Sequence, residues 1–109
     1  MTEKGKKYLS DIDTSIQLIE EFTRGLKSFN EYQKDLKTKG AVERHLGIIG
    51  EAVNKFSKEV DAIRLNNATQ IISLRNRLVH SYDSIDDSIV WSIITKHLPL
   101  LKAEISKLS

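Results

Sequence analysis

Between Val42 and Val60 the apolar residues recur at alternating intervals of four and three: Val42, Leu46, Ile49, Val53, Phe56 and Val60. A helix turns once in about 3.6 residues, so this spacing lines all of them up on one stripe. A strand alternates faces at every residue and would scatter them over both. The segment predicts a long helix with a coiled-coil-like face, which can be buried only against other helices. Gly47 and Gly50 lie inside it, each costing roughly 1 kcal/mol against Ala in a helix interior. They point to close approach of another element, either as tight packing or as the edge of a groove.

The rest of the chain follows the same period. Leu9, Ile12, Ile16, Ile19 and Phe22 form a first apolar stripe, with the first five or six residues expected to be loose and Gly25 marking a stop. Ser28 and Glu31 have capping-box spacing ahead of a short helix. Asn67 and Gln70 offer a start for a fourth helix running through Ile71, Ile72, Leu74, Leu78 and Val79. Ser84 and Asp87 offer a start for the last, which carries Ile85, Ile89, Val90, Ile93, Ile94, Leu98, Leu101, Ile105 and Leu108. Pro99 lies inside that run and predicts a kink there or a break near Leu98. No period-two strand is present. The predicted fold is all-α, a four-helix-type bundle with an additional short helix, built as a single domain over residues 1–109.

Composition narrows the function. The chain contains no Cys, which removes disulfides, thiolate metal sites and cysteine nucleophiles and suits a reducing cytoplasm, the expected location. Its three His are not spaced as a ligand set, so neither a metal nor another cofactor is expected. A net charge of +2 does not by itself mark a nucleic-acid binder. The N-terminal stretch has no apolar signal-like run, and nothing approaches the length of a membrane span. A chain of 109 residues has little room for both a core and a deep pocket, which makes a site shared between two copies an early expectation.

The chemistry concentrates in Arg75–Tyr82, RNRLVHSY. At about 100° per residue, Arg75 falls within the apolar arc, between Ile72 and Val79 on one side and Ile71, Leu74 and Leu78 on the other. Tyr82 lies almost above it, Asn76 and His80 share one flank, and Arg77 faces away. A guanidinium in an apolar arc needs a partner. That partner is an internal carboxylate such as Glu51, a set of carbonyls, or an anion at an interface. His80 is suited to proton exchange near neutral pH, and Arg75 to bidentate contact with a phosphate. These are the groups needed to cleave RNA without a metal. A base takes the 2′-OH proton, a cation steadies the phosphorane, and an acid protonates the leaving oxygen. One His per chain cannot readily act as both acid and base at once; two copies facing each other supply a pair.

RNRLVHSY resembles the R-N-x-x-x-H-x-Y motif of the HEPN superfamily, specifically its HepT-like proteins. YLSDIDTSIQLIEEF, AVERHLGIIGEAVNKF and IVWSIITKHLPLLKAEI are similar to that family's first, long and last helices, so the likeness runs from Tyr8 to Leu108. The resemblance implies a homodimeric helical bundle with a composite cleft, metal-independent endoribonuclease activity, and the toxin role in a type VII toxin–antitoxin pair. The cognate partner would be an MNT-type nucleotidyltransferase antitoxin. Carried over by position, it makes Arg75 and His80 catalytic, Asn76 a supporting residue and Tyr82 the site of AMPylation. An AMP group there would block the cleft and add negative charge. VDAIRLNNATQIISL departs from the family by lacking the P-x-x-x-W often found at this point. His45 and His97 match no catalytic position and are expected to be structural or exposed; Trp91 is expected to pack.

Two other functional classes fit the residues. One is a non-catalytic HEPN module that binds nucleotide or its nucleotidyltransferase partner and regulates it. The other is a purely structural helical dimer in which Arg75 closes an internal salt bridge.

Overall fold

A computed structural model of the chain describes residues 1–80 and 85–108, and the side chains of all of these except 78–80. Tyr82 and Ser84 therefore lie outside the described residues, as does the side chain of His80.

Six α-helices and one π turn make up the described chain: α1 Glu3–Thr23, α2 Phe29–Lys34, α3 Leu36–Glu59, α4 Thr69–His80, α5 Asp87–Ser92, and α6 Leu98–Leu108, with the π turn at Ile93–His97 between the last two. There is no strand among the described residues. Counting α5, the π turn and α6 as one rod gives the expected four long helices with one short one.

The heptad-like stripe of α3 is the centre of the molecule. At about 1.5 Å per residue its 24 residues cover most of the 41 Å long axis. Val42, Leu46, Ile49, Val53 and Phe56 are all buried. Leu9, Ile12, Ile16 and Ile19 of α1, Ile71 and Leu74 of α4, and Val90, Ile93, Leu98, Leu101 and Ile105 of the last rod complete the core. Gly5 meets Val60 at one end of the α1–α3 contact, and Ser15 meets His45 further along, so α1 and α3 run antiparallel. α4 runs antiparallel to α3 on another side: Thr69 and Ile72 share a cavity with Phe56, and Arg75 lies against Gly50.

Helix starts show where local signals decide and where they do not. The first residues are not loose. The Thr2 hydroxyl accepts the Gly5 N–H at 3.0 Å, and α1 begins at Glu3 with Gly5 buried against Val60. Ser28 caps α2 as expected, accepting from the Glu31 N–H at 3.2 Å. The Glu31 carboxylate reaches one residue further back than a standard box and takes the Lys27 N–H at 2.9 Å. Asp35 caps α3 through the Thr38 N–H and hydroxyl.

Asn67 does not cap α4. Ala68 precedes the helix, and Asn67 donates both its backbone and its side-chain N–H to the Glu104 carboxylate of α6, each at 3.1 Å. A charged acceptor from the last helix outcompetes the local turn. The last rod starts later than Ser84–Asp87 spacing predicts. Asp86 is the cap, accepting from the Ser88 N–H at 2.8 Å, and Asp87 pairs with Lys39 at 2.7 Å.

Pro99 produces the expected irregularity just upstream. The Leu98 N–H bonds back to Ile93, five residues away, in the wider π turn, and α-helical register resumes with Pro99 in the first turn of α6, where its missing N–H costs little. No helix among the described residues is long and apolar enough to cross a membrane.

Candidate active site on the fourth helix

α4 places its described residues, up to Arg77, where the helical wheel puts them. Ile71 and Leu74 are buried, Ile72 is half-buried, and Asn76 and Arg77 are exposed. Arg75 sits between these classes, with its side chain 24% exposed. Its backbone is held unusually close to α3. A Cβ built on Gly50 would lie 2.6 Å from the Arg75 Cβ and 2.9 Å from its Cγ. The glycine thus lets α4 settle onto α3 with the base of the Arg75 side chain lying over bare backbone. This is the tight packing expected at Gly50, and it occurs at the motif arginine itself.

The guanidinium has two partners among the described residues. Its Nη2 donates to Glu51 Oε2 at 2.5 Å, and its Nη1 to Asn76 Oδ1 at a long 3.4 Å. The need for a partner is thus met inside the chain, by the acid named from sequence. Glu51 is 46% exposed, and its other oxygen lies 3.9 Å from Lys55 Nζ. Lys55 was not singled out from sequence, although its i,i+4 spacing from Glu51 is a local signal for that contact. A small cavity of about 130 Å³ lies beside Glu51, between α1 and α3, and Lys7, Tyr8, Asp11 and Lys55 also line it.

Arg75 and Asn76 are therefore brought together at the α3–α4 contact. α4 carries the chain on to His80, whose side chain, like Tyr82, is outside the described residues. The other histidines take the roles expected. His45 is half-buried, with its Nδ1 3.1 Å from the Ser15 hydroxyl and its ring against Phe22 at a centroid distance of 5.7 Å. Burial pulls its pKa below the ordinary histidine value, and neighbouring Arg44 adds to the effect. His97 is half-buried at the end of the π turn. Trp91 packs, stacking on buried Tyr32 at 5.5 Å between centroids.

A second group of charges lies near the N-terminal end of α3. Lys39 and Asp87 form an ion pair whose side chains are both less than one-fifth exposed. Burial raises the Glu43 pKa, and the Asp87 charge raises it further against a smaller pull from Lys39. The Tyr32 hydroxyl is buried without a hydrogen-bond partner among the described residues, and burial holds its pKa well above the usual phenol value.

The described chain is thus an all-helical bundle that fixes an arginine at a helix–helix contact, ahead of a histidine on the same helix. Residues 12–108 match the family model described as "Ribonuclease HepT-like". The chain belongs to this HepT-like ribonuclease family, which is a family of endoribonucleases. It is similar to "Probable ribonuclease HepT" of Thermococcus cleftensis, with 35% identity over 99% of this chain and 98% of that protein. It is also similar to "Putative RNase MJ0127" of Methanocaldococcus jannaschii, with 33% identity over 86% of this chain and 78% of the relative. No solved structure gives a significant match.

Proposed function

We propose that this protein is a metal-independent endoribonuclease whose active site is completed by a second copy of the chain. The observation that carries this reading is Arg75, held half-buried on the family's motif helix in a chain that matches the ribonuclease family over residues 12–108. In the proposed reaction one His80 imidazole takes the 2′-OH proton, and that oxygen attacks the adjacent phosphorus. The 5′-oxygen leaves with a proton from the second copy's imidazole, producing a 2′,3′-cyclic phosphate and a 5′-OH. Arg75 faces the phosphorane charge, and Asn76, already within reach of the guanidinium, supports it.

Its setting is proposed to be a toxin–antitoxin pair with an MNT-type nucleotidyltransferase that adds AMP to Tyr82, and its location the cytoplasm. Mass spectrometry after incubation with that partner and ATP should show one AMP per chain on the wild type and none on Tyr82→Phe.

The central test is incubation of RNA with the dimer in EDTA. Cleavage to cyclic-phosphate ends is expected, with Arg75→Ala and His80→Ala each slower by roughly 10²–10³-fold. Intact RNA with a folded, unmodified dimer would refute the reading. The Arg75–Glu51 ion pair favours a second one, a purely structural helical dimer in which Arg75 closes an internal salt bridge. That reading predicts intact RNA, with Arg75→Ala costing mainly stability; an Arg75→Ala protein that keeps its melting temperature but loses cleavage would exclude it.

A further inference from the structure

The proposed reaction asks Arg75 to face a phosphate, yet this guanidinium is already paired with a carboxylate. An ion pair this exposed on its acidic side contributes little to folding, since Glu51 is 46% exposed. Its effect on geometry is larger. Arg75 has a long, rotatable side chain. Gly50 fixes where that side chain starts, and Glu51, the next residue on α3, takes its far end by one Nη2 N–H. Asn76 holds Nη1 only weakly, at 3.4 Å. With one edge of the planar guanidinium held against α3, its N–H groups without an acceptor among the described residues remain for a second one, and 24% of the side chain is exposed to receive it.

Glu51 also places a negative charge beside the position a phosphate would take. That charge opposes phosphodiester binding, and it opposes the phosphorane too, so what Glu51 contributes is orientation: the guanidinium is already fixed where charge develops and need not be ordered during the reaction.

We infer that Glu51 is a positioning residue of the RNA-cleaving site, acting on the reaction through Arg75. This rests on the ribonuclease reading above.

The test uses the full-length dimer, a 20-nucleotide mixed-sequence RNA, and the same sequence as 2′-O-methyl RNA, which binds but lacks the attacking hydroxyl. Glu51→Gln keeps an acceptor for Arg75 and removes the charge. Its single-turnover rate at saturating RNA should fall roughly tenfold or more. Binding of the 2′-O-methyl RNA should stay at wild-type strength or tighten, and the melting temperature should be unchanged. A purely structural Glu51 moves these the other way, with weaker binding and lower melting temperature accompanying any loss of rate, and that pattern overturns the inference. So does a Glu51→Gln protein that cleaves at the wild-type rate. If Glu51→Gln does not fold, Glu51→Asp is read by the same signs. Wild-type protein that leaves the RNA intact overturns the ribonuclease reading itself, and the role of Glu51 with it; wild-type cleavage with an unimpaired Glu51→Gln variant overturns the role alone.

Discussion

Gly50 and Arg75 touch where α3 and α4 cross, and the glycine leaves no room for a methyl group: a Cβ there would stand 2.6 Å from that of Arg75. The blocking atom belongs to the root of the arginine rather than to its flexible end, so relief requires the helices to part. Gly50→Ala gains about 1 kcal/mol of helix propensity but overpacks the contact at a cost of roughly 1–3 kcal/mol. Urea denaturation should show a net loss on the order of 1 kcal/mol. Gly40→Ala is the control. Nothing lies within 4 Å of a Cβ there, and the residue is exposed inside α3. That variant should be more stable by about 0.5–1 kcal/mol.

The segment entering the motif helix hangs on one carboxylate. Glu104 accepts from the Asn66 N–H at 2.8 Å and from both Asn67 donors. Glu104→Ala leaves three donors to find water and frees the turn ahead of α4. Charge-assisted bonds of this kind are worth roughly 1.5–3 kcal/mol together with their geometry. The expected loss is about 2 kcal/mol in denaturation. Amide hydrogen exchange should rise first at Asn66 and Asn67.

His45 gives the fold a weak acid sensitivity. Its pKa is lowered in the folded chain by burial and by Arg44, so between the folded and unfolded values the unfolded chain binds more protons. Stability from this group is complete above the ordinary histidine value of about 6.5 and declines as pH falls below it. The loss should be below about 1 kcal/mol because the ring is only half-buried. Melting curves at pH 7.5 and 5.5 should converge partly in His45→Gln.

Glu43 acts in the opposite sense. Burial and Asp87 raise its pKa, so the folded chain holds this proton more readily than the unfolded one, and stability from the group falls as pH rises through the window above the ordinary glutamate value. At pH 7 the ionised carboxylate opposes Asp87. Glu43→Gln should therefore stabilise the protein at pH 7, by no more than about 0.5 kcal/mol after solvent screening. The gain should shrink toward pH 4 in a denaturation series.

Much of this architecture follows from local pattern. The stripe from Val42 to Phe56 could be buried only by helices, and the positions of Ile71, Leu74, Arg75 and Arg77 around α4 follow from helical period alone. Ser28 and Pro99 acted as neighbours in sequence dictate. The partner of Arg75 was one of several that the spacing allowed, and what Gly50 was for could not be read from α3 by itself. Those outcomes depend on which faces of two helices meet, a matter of packing between residues 24 and more apart in sequence. Asn67 was drawn away from its local cap by Glu104, 37 residues on, for the same reason. Helical period is a property of the backbone and is written locally. The choice of a charged group's partner is settled only when the fold brings distant carboxylates within a few ångströms.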